Sequence, residues 1–288
     1  MTIDKPRNMC YTIINQTVKC TLCAEFAKGG ALVKQRMKQF MKDYWKTLLL
    51  FAVAGLVGGF FTGLFVLDSY PADLQQEALE QGLTPTIMAL VTAMQAVGYG
   101  VVLGAIGILL GKKTGLWRDE RSISQKPLFI TLAIAVLGGV ALILPDLLFF
   151  GKYNEVIMNS YAAKPTISYI IGAVIYGGVI EEVMLRLFWM TLVAFVLWKL
   201  FAKKEEKPTT AILVVANIVA AILFAAGHLP ATVLMIGTSP LVIARCFLLN
   251  GGFGLLFGYL YRKYGLRYAM LAHGGCHIVS KLIWILFI

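Results

Sequence analysis

The sequence predicts an all-α fold, a polytopic membrane bundle of seven or eight transmembrane helices. Of its 288 residues, 59% are hydrophobic and only 14% are charged, whereas a soluble domain usually carries about 25% charged residues. Several uninterrupted apolar runs also reach the ~20 residues that a helix needs to cross ~30 Å of hydrocarbon. A water-soluble fold has no interior large enough to hide so much apolar surface.

The first 46 residues form a basic leader, with nine Lys and Arg residues against three Asp and Glu residues. Such a segment is typical of a cytoplasmic or interfacial tail that contacts anionic lipids. We therefore divide the chain into residues 1–46, the N-terminal segment, and residues 47–288, one multi-pass membrane domain.

Three predicted spans follow, at about residues 47–67, 85–110 and 127–150. The loop after the first span is acidic, and the loop after the second is basic. Because cytoplasmic loops carry an excess of Lys and Arg, this alternation places the N terminus and the second loop in the cytoplasm.

The second half of the membrane domain is harder to divide. Residues 168–201 form a nearly unbroken apolar stretch, compatible with one long helix or with two helices joined near Arg186. Further spans are predicted at about 210–228, 241–261 and 266–288. Since His228 then lies at an awkward depth relative to His273, we expect a re-entrant or broken segment around residues 228–230.

The net charge of +11 does not indicate nucleic-acid binding. Most Lys and Arg residues beyond the leader flank apolar runs, which is the pattern of topology signals rather than of a basic binding face. We expect no nucleic-acid partner.

Ionisable side chains within the apolar stretches mark the candidate site. All three histidines of the chain, His228, His273 and His277, lie in or at the end of apolar segments, and Glu181 and Glu182 interrupt another. Ionisable groups inside a membrane cost several kcal/mol each, so a chain that retains them uses them for a function.

Their spacing favours a shared site. His273 and His277 are four residues apart and share one helix face, and Glu182 and Arg186 stand at the spacing of an internal ion pair. Glu181 projects ~100° away from Glu182. Such a set can hold a metal with an open position or orient a water that a glutamate deprotonates, which favours a hydrolase. A proton-coupled transporter with these residues as a relay is the alternative.

Three motifs resemble a known family. Glu181-Glu182-Val-Met-Leu-Arg186, Phe224-Ala-Ala-Gly-His228 and His273-Gly-Gly-Cys-His277 resemble, in order, the motifs of the CAAX protease and bacteriocin-processing family of intramembrane endopeptidases, which includes type 2 CAAX prenyl proteases. The likeness covers about residues 167–281, the motif-bearing core.

The resemblance implies an intramembrane endopeptidase of the glutamate or metallo type. Glu181 would be the base that activates water, with Glu182 paired to Arg186 in support. His228 and His273 would hold the water or a metal and stabilise the oxyanion. The implied substrate is a membrane-embedded or lipidated peptide, such as a prenylated CAAX-type peptide.

Two further points follow from the resemblance. Phe224, in the second motif, is expected to support the site. His277 stands where the family commonly has Asn or Asp, and it can donate a hydrogen bond to an oxyanion, act as a third metal ligand, or mark a non-catalytic bacteriocin-immunity or scaffold protein of the same fold. Zinc held by His228, His273 and His277 and a metal-free, glutamate-activated water are equally compatible with these residues.

Overall fold

A computed structural model describes residues 7–119 and 123–288, with side chains from residue 33 onward. In this part of the chain the secondary structure is helical, without strands. Seven of the described helices are long and apolar enough to cross a membrane. The prediction of an all-α membrane bundle is therefore confirmed, with seven spanning helices in the described residues.

The helices are numbered in chain order. They are α1 (Arg7–Val66), α2 (Ala72–Glu80), α3 (Pro85–Thr114), α4 (Gln125–Tyr153), α5 (Glu155–Asn159), α6 (Ile167–Phe201), α7 (Thr210–Ile236), α8 (Pro240–Tyr264) and α9 (Leu266–Phe287). Helices α2 and α5 are short and lie between spans. By contacts the chain separates into two compact units, Met1–Thr47 and Leu48–Ile288, and the functional assignment of the N-terminal segment stays a prediction.

Hydroxyl side chains fix where several spans begin. The side-chain oxygens of Thr84, Thr166, Thr209 and Ser239 each accept a hydrogen bond from a backbone N–H three residues later. These bonds satisfy N–H groups that a helix start leaves without partners. The loops between spans are short, so consecutive spans run in opposite directions. We call the end of the bundle that holds residues 115–119, 123–124 and 202–209 the basic-loop end, and the other the acidic-loop end.

Small residues allow the spans to approach closely. Gly59 and Gly63 of α1 face Ala93 and Ala89 of α3 so closely that a Cβ on either glycine would lie 2.8 Å and 2.5 Å from those Cα atoms. Because lipid tails are as apolar as leucine, backbone contact of this kind stabilises helix pairs in membranes. Gly178 of α6 approaches Gly274 of α9 in the same way.

Helix α6 is a single continuous helix of 35 residues, so the alternative with two helices joined near Arg186 is wrong. Over Ala173–Glu181 and Val183–Met190 the helix widens into π-helical turns. Such turns are rare and occur frequently at functional sites. The widened part of α6 carries the two glutamates of the first motif.

Helix α7 corrects another expectation. It runs unbroken from Thr210 to Ile236 and passes through Pro230 within the helix, so the re-entrant or broken segment around His228 is absent. Proline is tolerated inside membrane helices because neighbouring groups can compensate for the lost backbone hydrogen bond. His228 therefore lies within the helix, eight residues before its last residue, and not at the end of the span.

A buried ion pair joins two spans near the acidic-loop end. Asp146 of α4 has no exposed surface, and Arg245 of α8 donates to both of its carboxylate oxygens, one at 2.6 Å. The Tyr161 hydroxyl donates to the same carboxylate at 2.9 Å. Burial and the negative charge of Asp146 raise the pKa of Tyr161, so its hydroxyl keeps the proton that it donates.

Candidate active site

The first motif supplies a buried ion pair from α6. Glu182 is 0% exposed and Arg186 1%, with Glu182 Oε1 3.0 Å from Arg186 Nη1. Arg186 also donates from Nη2 to the carbonyl oxygen of Gly254 at 3.3 Å, and its guanidinium lies 4.6 Å from the ring centroid of Phe224. A carboxylate, a carbonyl and an aromatic face together reduce the cost of burying this charge.

His273 of α9 is oriented by the same carboxylate. Its Nδ1 lies 2.8 Å from Glu182 Oε1, and the Phe257 ring stacks on the imidazole with centroids 4.6 Å apart. A carboxylate can only accept this hydrogen bond, so Nδ1 carries the proton. In the neutral ring, Nε2 is then left with a free lone pair.

His228 of α7 is oriented by its own helix. Its Nδ1 lies 2.9 Å from the backbone carbonyl oxygen of Phe224, and the Phe224 ring meets the imidazole edge to face with centroids 4.7 Å apart. The carbonyl again fixes the proton on Nδ1. In the neutral form His228, like His273, presents Nε2 as an acceptor.

The Glu181 carboxylate faces both imidazoles. One oxygen lies 3.8 Å from His228 Nε2, and the other lies 3.8 Å from His273 Nε2. These distances are too long for direct hydrogen bonds. Each gap allows a water to bond to the carboxylate and to an imidazole from one side. Glu181 also keeps 17% of its side chain exposed, whereas Glu182 keeps none.

His277 lies one helical turn beyond His273, and the two ring centroids are 5.1 Å apart. Its Nδ1 is buried without a hydrogen-bond partner among the described residues. Its Nε2 would lie 3.1 Å from a Cβ placed on Gly177, so the bare glycine provides the space that this ring occupies. A buried polar nitrogen without a partner costs free energy, which a ligand that fills its hydrogen bond would recover.

The structure thus brings together all the site residues expected from the sequence: the two glutamates, the three histidines, Arg186 and Phe224. Two contacts are not apparent in the sequence motifs, namely the ring of Phe257 on His273 and the carbonyl of Gly254 on Arg186. Both residues lie on α8, which precedes the third motif and carries Gly251, Gly252, Gly254 and Gly258 close to them.

The arrangement of possible donor atoms bears on metal binding at this site. Within residues 33–119 and 123–288, no group of three or more His, Cys, Asp or Glu side chains is arranged to hold a metal ion. The hydrogen bonds at Nδ1 of His228 and His273 leave their Nε2 atoms free, but His277 does not join them in a ligand group. The predicted zinc centre at the three histidines therefore stays a prediction.

Comparison with known proteins gives one family. Residues 163–279 match the family described as Type II CAAX prenyl endopeptidase Rce1-like. No curated protein and no solved structure matches the chain. The matched segment is less than half of the chain, but it holds the whole of the site described above. This segment is therefore similar to the CAAX protease and bacteriocin-processing family of intramembrane endopeptidases.

Proposed function

We propose that this protein is an intramembrane endopeptidase that hydrolyses a peptide bond near the C terminus of a prenylated, membrane-associated substrate, with Glu181 as the general base. The observation that carries the proposal is the Glu181 carboxylate, which lies 3.8 Å from two imidazole Nε2 atoms whose tautomers are fixed by other bonds. A water between the Glu181 carboxylate and an imidazole Nε2 would have an acceptor for each of its two protons. Its oxygen lone pairs would then remain free to attack a carbonyl carbon.

The reaction then needs only groups of this chain and one water. Glu181 takes a proton from the water as the water oxygen forms a bond to the scissile carbonyl carbon. His277, whose Nδ1 has no other hydrogen-bond partner among the described residues, donates to the oxyanion. When the C–N bond breaks, Glu181 returns the proton to the leaving amine, so the carboxylate is regenerated. Glu182 and Arg186 do not touch the substrate and act by holding His273.

Zinc chemistry at the same site is an alternative that the cleavage assay below tests. A bound zinc would lower the pKa of its water, with His228, His273 and His277 as the expected ligands. Because these side chains do not form a metal-ligand group as they stand, no step of the proposed reaction passes through a metal.

We also infer that the basic-loop end faces the cytoplasm and that the N-terminal segment contacts anionic lipids. The support is the charge pattern, since Lys and Arg outnumber Asp and Glu when the loops at that end are counted together with the helix ends that flank them. In the N-terminal segment, the exposed residues Lys34, Lys38, Lys42 and Lys46 recur every four residues beside an exposed apolar row of Val33, Met37, Met41 and Trp45. Adjacent basic and apolar rows suit a membrane surface.

The proposed reaction is tested by peptide cleavage in nanodiscs. Wild-type protein, Glu181→Gln and His228→Ala are incubated with matched prenylated and unprenylated fluorogenic peptides, each with chelator and with added zinc. Glu206→Gln, which alters an exposed glutamate in the loop after α6, is the control.

Cleavage of prenylated peptide by wild type and by Glu206→Gln, abolished in the two site variants, is the expected result. Loss of cleavage in chelator would point to the metal mechanism, whereas insensitivity favours glutamate-activated water. Equal cleavage by Glu181→Gln would remove the proposed base. If wild-type protein bound the peptide without cleaving it, the result would instead favour a non-catalytic immunity or scaffold protein, the alternative that His277 suggested.

A further inference from the structure

A phenyl ring from outside the three motifs lies against the site. Phe257 of α8 is 1% exposed, and its ring stacks on the His273 imidazole with centroids 4.6 Å apart and planes inclined by 21°. The Arg186 guanidinium lies 5.5 Å from the centroid of the same phenyl ring. The proposed reaction gives this side chain no role, yet it contacts both an imidazole of the site and the cation that pairs with Glu182.

Phe224 of α7 makes the same two kinds of contact with the other imidazole. Its ring centroid lies 4.6 Å from the Arg186 guanidinium and 4.7 Å from the centroid of the His228 ring. An unbroken series of ring contacts therefore leads from His228 through Phe224, Arg186 and Phe257 to His273. Each of the two imidazoles is connected to the same buried guanidinium through one phenyl ring.

Glycines on α8 allow Phe257 to reach this position. A Cβ on Gly254 would lie 2.9 Å from backbone of α7, and a Cβ on Gly258 would overlap the Asn217 side chain of α7. The two glycines, one on each side of Phe257 in the chain, therefore let α8 approach α7 closely. The carbonyl oxygen of Gly254 also accepts a hydrogen bond from Arg186. Helix α8 thus supplies both a carbonyl and an aromatic face to the same guanidinium.

A single hydrogen bond does not fix an imidazole completely. The bond between His273 Nδ1 and Glu182 Oε1 sets the tautomer and the direction of one ring atom, but the ring can still swing about that bond. A flat partner on the ring face opposes this motion, because two stacked rings lose contact when one of them tilts. The swing matters at Nε2 of His273, which lies 3.8 Å from Glu181 Oε2. Tilting the ring would change the gap in which the attacking water is held.

We propose that Phe257 is a positioning residue of the reaction, whose ring holds the plane of the His273 imidazole so that Nε2 faces the Glu181 carboxylate. This inference rests on the proposed endopeptidase function and adds to it a residue outside the three motifs. Because only 1% of Phe257 is exposed, it acts through His273 and not on the substrate. Glu182 sets which nitrogen of His273 carries the proton, and Phe257 sets where the other nitrogen is directed.

The kinetic test compares wild type with Phe257→Leu in nanodiscs, on the prenylated fluorogenic peptide. Leucine keeps an apolar side chain in this position but removes the flat face. We expect kcat to fall by about 10–10²-fold with little change in KM, since a shift of about 1 Å in a reacting group can cost about 10²-fold. The control is Phe253→Leu, one turn earlier on α8, because the Phe253 ring is directed toward Gly138 of α4. This control should keep kcat close to the wild-type value.

A spectroscopic test needs no turnover. The chain has three histidines, so protein with isotope-labelled histidine nitrogens gives three sets of ring signals, which His228→Ala and His273→Ala variants assign. In wild type the His273 signals should show a proton fixed on Nδ1. In Phe257→Leu they should broaden or shift toward an average of the two tautomers, whereas the His228 signals should stay unchanged. Phe253→Leu should change neither set.

The outcomes separate positioning from folding and from the reaction itself. Unchanged His273 signals in Phe257→Leu, or a loss of activity confined to KM, would overturn the positioning role. Equal changes at His228 and His273, together with a lower unfolding midpoint, would show that the ring of Phe257 only supports the fold and would overturn it as well. If wild type cleaves no peptide while the His273 signals respond to Phe257→Leu, the result counts against the endopeptidase and leaves the orientation of His273 by Phe257 supported.

Discussion

At the scale of single residues, one oxygen of Glu182 serves two partners at once. Oε1 lies 3.0 Å from Arg186 Nη1 and 2.8 Å from His273 Nδ1. The same carboxylate therefore neutralises a buried cation and fixes the tautomer of an imidazole in the site. Because one oxygen has both roles, the structure alone does not separate the contribution of Glu182 to stability from its contribution to catalysis. Separate measurements of unfolding and of cleavage do.

We predict that Glu182→Gln lowers both stability and activity. The substitution leaves Arg186 buried without a counter-charge, and breaking a buried pair in this way costs about 3–5 kcal/mol. Thermal unfolding in detergent should show a lower midpoint, and cleavage should fall because His273 loses its fixed orientation. Glu206→Gln, with an exposed carboxylate, should change neither quantity. An unchanged unfolding midpoint in Glu182→Gln would contradict the structural part of the argument.

His277 offers a second residue-scale prediction. If its Nδ1 donates to the oxyanion, His277→Asn should keep most activity, because an amide can donate in its place. His277→Ala should lower kcat by about 10²–10³-fold, the usual cost of losing one oxyanion donor, with little change in KM. Steady-state kinetics on the prenylated peptide measures both. Equal activity in His277→Ala and wild type would exclude this role.

The sequence predicted some residue contacts and not others. The Glu182–Arg186 pair was predictable because residues four apart meet on any helix. The stacking of Phe257 on His273 was not, because the two residues lie on different helices and nothing in their separation along the chain encodes which faces will meet. The convergence of Glu181 with His228 was expected from their chemistry, whereas the distance between the two side chains could be read only from the fold.

At the scale of helices, the contact between α6 and α9 holds the two halves of the site together. Gly178 of α6 faces Gly274 of α9, where a Cβ would lie 2.9 Å from the opposing Cα. A Cβ closer to backbone atoms than van der Waals contact cannot be accommodated by rotating a side chain. The helices themselves must move, and they carry Glu181 and His273.

We predict that Gly178→Ala reduces activity by separating α6 from α9, and that it also destabilises the bundle. The control is Gly98→Ala in α3, because a Cβ there meets nothing within 4 Å. Since alanine is favoured over glycine in a helix by about 1 kcal/mol, the control should be neutral or slightly stabilising. Cleavage rates and unfolding midpoints of the two variants would settle the comparison, and indistinguishable variants would refute it.

Helix α7 shows where sequence patterns mislead at this scale. The depth of His228 relative to His273 favoured a break around residues 228–230, yet the helix continues to Ile236. A proline removes one backbone hydrogen bond, whereas ending a helix in the membrane would leave several polar groups without partners. The continuous helix is therefore the less costly arrangement, and no local pattern announces it.

At the scale of the whole molecule, hydropathy was the most reliable signal. Apolar runs of membrane-spanning length exist only where a helix crosses hydrocarbon, so the spanning segments were predictable almost individually. The number of spans was not predictable in this way. Helix α6 is longer than a membrane requires, and its internal charged residues resemble those of a loop that joins two helices. Two of these residues, Glu182 and Arg186, are tolerated because they pair inside the bundle.

The orientation of the bundle gives the last prediction. Cysteine is introduced at Asp73, in the acidic loop, or at Lys204, in the loop after α6, on a background in which Cys10, Cys20 and Cys23 are changed to serine. The other two cysteines, Cys246 and Cys276, are buried. In sealed inside-out vesicles, an impermeant maleimide should label Lys204→Cys and spare Asp73→Cys. The reverse pattern would place the N terminus outside the cytoplasm.

The π-helical turns of α6 have a consequence for how this region tolerates insertions and deletions. Each π turn holds one residue more than an α turn, so removing a single residue between Gly172 and Met190 can restore α geometry without breaking the helix. Because an α turn covers about the same angle with one residue fewer, the residues on either side of such a deletion would keep their orientation about the axis. A deletion in a plain α-helical stretch would instead rotate every later residue by ~100°. The widened stretch is therefore the part of α6 in which homologous chains can differ by one residue while the flanking side chains still face the same neighbours.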